Sequence, residues 1–157
     1  MNDKKEMDAS MQLMLSFAHV QKNMVRFIQK SAAEKDLSIP QYSILMTIIN
    51  CREMTQKNIG EKTFLPKSTL SQAVDGLVKE GFLDRRQVAD NRRETLLELS
   101  PKGQALVNEL HLQEDGLHQV FKAASEQFTN DQVEELLDAH RKISAYLADV
   151  ELEVAAK

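Results

Sequence analysis

Tryptophan is missing from this sequence, and only 5% of its residues are aromatic. Sandwiches and barrels build many short strands from β-branched and aromatic side chains, so that scarcity argues against an all-β fold. Five glycines and three prolines in 157 residues leave few interruptions, which points to long helices with short connections. One cysteine, Cys51, cannot close an internal disulfide, as suits a reducing compartment. Met1-Asn2-Asp3-Lys4-Lys5-Glu6 has no apolar segment behind it, and no run approaches the roughly 18 apolar residues of a membrane span. A cytoplasmic chain with no membrane partner is expected. There is no nucleophile elbow, Gly-rich phosphate loop, zinc-protease helix motif or Cys-x-x-Cys pair. No enzyme, catalytic residue, cofactor or metal is therefore expected.

What is present suits one unit with a real core: 42% of residues are hydrophobic, and 28% are charged. The net charge of −4 is unevenly spread. Residues 1–54 carry +1 and 55–103 carry +2, whereas 104–157 carry −7. A mildly basic middle on an acidic body is compatible with a nucleic-acid binder.

Met11, Met14, Leu15, Ala18, Val25 and Ile28 recur at helical spacing, predicting a first helix over 8–34. Met7, Phe17, Met24 and Phe27 widen its stripe, so burial on more than one side is expected. Asp36-Leu37-Ser38-Ile39-Pro40 breaks it; Ser38 or Ile39 can cap a short apolar second helix over 41–50. Residues 51–54 read as a connector or very short strand. Thr55 caps a third helix to about 63, and Pro66 opens a fourth over 66–80, ended by Gly81. Extended segments at 82–88 and 94–99 around a polar turn at 89–93 read as a β-hairpin. Ser100-Pro101 starts a fifth helix to about 126. Thr129-Asn130-Asp131-Gln132 is a capping box for a sixth, to about 152. Its Val133, Leu136, His140, Ile143, Leu147, Val150 and Val154 make a heptad seam with one polar member, which predicts a homodimer built from the terminal helices.

The expected fold is therefore mainly α with a small β-hairpin wing. A winged helix-turn-helix lobe over 36–100 joins a helical dimerisation lobe built from 8–34 and 101–154.

In the fourth helix Leu70, Val74, Leu77 and Val78 share one face, and Ser68, Ser71, Gln72, Asp75 and Lys79 the other. A small polar face near a helix N-terminus suits base edges. Gln72 can pair with adenine, Ser68 and Ser71 with either groove partner, Thr69 with a thymine methyl if turned outward, and Lys67 with a phosphate. The bland alternative is a solvated helix surface. The hairpin weighs against it, because Arg85, Arg86, Arg92 and Arg93 crowd nine residues. Arg92 and Arg93 at its tip can enter a minor groove, with Asp90 holding the Arg92 guanidinium.

Thr55-Gln56-Lys57-Asn58-Ile59-Gly60-Glu61, the run from Ser68 to Arg85, Asp90-x-Arg92-Arg93 and Leu99-Ser100-Pro101-Lys102-Gly103 together resemble the MarR family of bacterial transcriptional regulators. The likeness implies a homodimer that binds a pseudo-palindromic double-stranded DNA operator, usually as a repressor. It implies that residues 67–72 read bases and phosphates, with Thr55 beside them, and that Arg92 enters the minor groove. It also implies release by a small aromatic or anionic effector; Met14, Phe17 and His19 with Tyr42 and Met46 can line an apolar pocket for it. The family's peroxide-sensing branch keeps its reactive cysteine near the start of the first helix. Cys51 lies at the end of the second, and a buried inert thiol is expected there.

Two rival readings share the fold. His111, Glu114 and His118 on one helix face suit a zinc-type sensor, although i and i+7 side chains stand about 10 Å apart along a helix. A winged helix that binds a protein is the other.

Overall fold

The computed structural model describes residues 8–88 and 90–156, the side chains of 91, 92 and 151–156 excepted. The elements run α1 (Ala9–Glu34), α2 (Ile39–Ile48), β1 (Glu53–Thr55), α3 (Gln56–Thr63), α4 (Lys67–Lys79), β2 (Leu83–Val88), β3 (Asn91–Leu99), α5 (Pro101–Leu112), α6 (Leu117–Ser125) and α7 (Asn130–Ala156). The chain divides within α6 into one unit to residue 119 and a second from 120.

Local chemistry sets most of these boundaries. The Asp8 carboxylate caps α1, accepting from the Met11 N–H at 2.9 Å. Ser38 and Gln41 form a reciprocal capping box on α2, with Pro40 in its first turn. Thr55 caps α3, Ser100 caps α5, and Thr129 and Gln132 exchange side-chain and backbone bonds ahead of α7. Gly81 ends the α4 segment at φ 81°, a backbone that a Cβ would strain. The N–H of Phe82 reaches the Leu77 carbonyl and that of Gly81 the Val78 carbonyl, which is the Schellman arrangement.

The sheet has order β1-β3-β2 and is antiparallel throughout. Leu97 pairs with Met54 on one side and Arg85 on the other. Fully buried Ile44, Leu45, Ile48, Ile59, Val74, Leu77, Leu83, Leu97 and Val107 fill the core, so α2, α3, α4, α5 and the sheet share one apolar interior.

Four expectations need correction. The second wing strand begins at Asn91 rather than 94, so Arg92 and Arg93 belong to a strand and not to a turn. In the single chain α1 buries only Ser31 and Ala32, while Met11, Met14, Leu15 and Val25 stay exposed. Cys51 is exposed, not buried.

The fourth correction is a break in the fifth helix, which ends at Leu112 and resumes as α6. The intervening turn, closed by the Gly116 N–H on the Gln113 carbonyl at 3.0 Å, is fastened to the end of α1. Gln113 donates to Glu34, and Lys30 pairs with Asp115. That hydrogen-bonded pair lowers the Asp115 pKa and raises that of Lys30. The break also folds His118 onto His111, with ring centroids 3.7 Å apart, where an unbroken helix would separate them by two turns.

In the second unit α7 leaves Leu136, Leu147 and Val150 of the heptad seam exposed, with Val133 and Ile143 half-buried. The Val154 side chain lies outside the described residues.

Candidate nucleic-acid interface

The α4 helix presents two unlike faces because its apolar residues recur at helical spacing. Leu70, Ala73, Val74 and Leu77 are buried, and Val78 is half-buried. Lys67, Ser68, Gln72, Asp75 and Lys79 are exposed, with Thr69 and Ser71 half-buried. Gly76 lets α2 come close, since a Cβ there would lie 2.6 Å from Gln41 Nε2.

The first turn of α4 contrasts with α1, α2, α3 and α5, each capped by a side chain. Its N-cap is Pro66, which makes no side-chain cap hydrogen bond, and no acidic residue stands in the turn. The positive end of the helix dipole and its unpaired N–H groups therefore face outward beside the Lys67 ammonium. This arrangement suits an anion, and a phosphodiester in particular. At the other end Lys102 Nζ donates to the Glu80 carbonyl at 2.6 Å and lies 4.7 Å from the centre of the Phe82 ring. Sequence reasoning passed over Lys102, although a cation two residues into the next helix was the available signal.

The wing is tied to this helix by charge. Arg85 pairs with Asp75 on the outer face of α4, and Arg86 pairs with Glu53 of β1. Both arginines thus hold protein carboxylates as well as facing solvent. Asp90 and Arg93 are exposed near the end of the hairpin. The expected Asp90–Arg92 hydrogen bond lies outside the described residues. Thr55 is half-buried, and its hydroxyl accepts the Asn58 N–H at 3.1 Å, so it builds the start of α3.

Of the expected effector residues, Met14, Phe17 and His19 stand on α1 and Tyr42 and Met46 on α2. Tyr42 is buried in the core, where desolvation raises its hydroxyl pKa, and Met46 is half-buried on the same helix. Met14 and His19 are exposed on α1, with Phe17 half-buried. A cleft of about 570 Å³ runs along α1 past Ala18, Val25 and Arg26 and is lined by none of the five. Among the described residues no three His, Cys, Asp or Glu side chains assemble as metal ligands, and no helix is long and apolar enough to cross a membrane.

Residues 37–95, which hold α2, the helix-turn-helix and most of the wing, match the sequence model of the MarR family. Among its relatives the HTH-type transcriptional repressor YetL of Bacillus subtilis is 26% identical over 98 residues, 61% of this chain and 59% of YetL. The match therefore spans less than two thirds of that relative. The MarR-family regulator NMB1585 of Neisseria meningitidis superposes with a TM-score of 0.75 at 23% identity, over 94% of this chain and 99% of that one. An Escherichia coli MarR mutant complexed with operator DNA superposes at 0.66 with 22% identity, over 84% and 93% of the two chains. Identities this low carry the fold across. That fold is the mainly helical winged helix already described.

Proposed function

We propose that the chain is a DNA-binding transcriptional regulator, in which α4 enters the major groove and the wing follows the backbone into the minor groove. The observation that carries this reading is the uncapped, acid-free N-terminus of α4, with Lys67, Ser68 and Gln72 exposed on it. Lys67 and the first-turn N–H groups hold phosphates. Ser68, Thr69, Ser71 and Gln72 meet base edges, and Arg92 and Arg93 reach the minor groove with Asp90 beside them. Arg85 and Arg86 add backbone charge and fix the wing, and Thr55 positions α3.

Residues 36–100 form the DNA-reading lobe in this proposal, and 8–34 with 101–154 the dimerisation lobe. The exposed apolar stripes of α1 and α7 are the surfaces a second copy would cover. The homodimer then binds a pseudo-palindromic operator as a repressor, which is what YetL is named. Release by a small-molecule effector enters through family likeness alone.

The test is a salt titration on duplex DNA. The logarithm of the binding constant is expected to fall linearly with the logarithm of salt, by about 0.9 for each phosphate neutralised. Tight binding without salt dependence, or none to any duplex, would favour the protein-binding alternative.

A second measurement separates reading from holding. Gln72→Ala is expected to cost about tenfold or more on a selected operator and little on random duplex, since a good bidentate base contact is worth about 1–3 kcal/mol. Lys67→Ala is expected to weaken both duplexes alike. Equal losses on both for Gln72→Ala would remove that residue from the base-reading set.

A further inference from the structure

The side chain of Phe64 has no role in the fold described above. It ends α3 in the left-handed region at φ 57°, and its side chain is 91% exposed. Its neighbours are both employed: Leu65 packs against the core, and Pro66 opens α4. A positive φ is costly for a bulky residue, whereas glycine takes it freely and asparagine readily. A phenyl ring left in water also forgoes the burial that makes aromatic side chains useful. The left-handed backbone closes α3, with the Phe64 N–H on the Gly60 carbonyl at 3.0 Å, but a bulky ring there costs strain and gains no burial in return.

The surroundings indicate what covers the ring. Phe64 lies in the turn between α3 and α4, three residues ahead of Lys67. Lys62 in the last turn of α3 and Lys67 in the first turn of α4 are exposed cations on either side of it. Neither joins an ion pair among the described residues. An apolar surface flanked by unneutralised cations, beside an uncapped helix N-terminus, matches the edge of a DNA duplex. Phosphates there are separated by apolar patches, and the largest in the major groove is the thymine methyl.

We propose that Phe64 is a specificity-determining residue that packs on a thymine methyl at the edge of the α4 footprint. The proposal rests on the DNA-binding reading above and adds a base preference to it.

The experiment uses the full chain and the duplex it selects from a random-sequence pool, synthesised once with thymine and once with uracil in every thymine position. Burying one methyl-sized group changes affinity about fourfold, so two half-sites give about fifteenfold. Wild type is expected to bind the uracil duplex about fifteenfold more weakly. Phe64→Gly and Phe64→Asn, which relieve the left-handed backbone, should lose the share of this discrimination that the ring supplies and keep only what a Thr69 contact supplies. Both should also melt no lower than wild type, which separates lost contact from lost fold. Equal sensitivity to uracil in wild type and both variants would overturn the proposal. So would variants that lose the same affinity on both duplexes, which would place the ring on a sugar. Wild type that selects no duplex would overturn the DNA-binding reading along with it.

Discussion

Gly103→Ala is expected to lower the melting temperature by about 10 °C, equivalent to about 3–4 kcal/mol in a chain of this size. A Cβ at position 103 would lie 1.9 Å from the Phe82 carbonyl oxygen and 2.9 Å from its carbon. Both are backbone atoms, so no rotamer change relieves the clash. The same carbonyl accepts the Ser100 N–H at 3.1 Å, and Ser100 Oγ donates to the Gly81 carbonyl while accepting from the Gly103 N–H. Moving α5 away from Phe82 would break this cluster where α4 ends, the wing begins and α5 starts. Gly81→Ala is the comparison, since there only the φ of 81° is violated and about 1 kcal/mol is expected. Thermal denaturation followed by circular dichroism reads both, and a Gly103→Ala melt within 2 °C of wild type would show that the close approach does not hold in solution.

Ser68→Glu is expected to move stability and DNA binding in opposite directions. Ser68 is the second residue of α4, in a first turn with no acid and no side-chain cap. A carboxylate there meets the positive end of the helix dipole and should stabilise by about 0.3–1 kcal/mol. On the proposed DNA face the same carboxylate meets phosphates and base acceptors. Like-charge contacts of that kind cost several kcal/mol in an interface, so a loss of at least about a hundredfold is expected on operator and random duplex alike. Melting and fluorescence anisotropy on one preparation give both quantities. Undiminished affinity would show that α4 is not the helix that meets DNA.

Four helix starts were legible in the sequence because each is decided within four residues. Ser38 with Gln41, Thr55, Ser100 with Pro101, and Thr129 with Gln132 all cap where their side chains suggest, and Gly81 stops the α4 segment. The fifth helix was misread because its apolar spacing continues from Leu106 and Leu110 into Leu117, with only Gly116 to mark a break. That break is fastened from α1 by Glu34 and Lys30, which are remote in sequence. The longer second wing strand was hidden for a similar reason, since Asn91 and two arginines resemble a turn until Val88 of β2 pairs with Asn91 across an irregular register. Among the candidate contacts, the outer face of α4 follows from period alone. The partners of Arg85 and Arg86 do not, because Asp75 and Glu53 lie 10 and 33 residues away. Phe64 left no trace, since a left-handed residue is indistinguishable by composition from any other exposed phenylalanine.

The middle position of β3 has a mechanical result. Through β3 the hairpin is hydrogen-bonded to β1, whose last residue, Thr55, caps α3, and through Arg85 it is fastened to α4. The wing and α4 are thus two prongs of one gauge, and their separation is set by sheet geometry. In the proposed complex that gauge measures base pairs: an extra pair between the major-groove and minor-groove contacts of one half-site would turn the second contact by about a tenth of a helical revolution. Operators should therefore vary in letter more readily than in spacing.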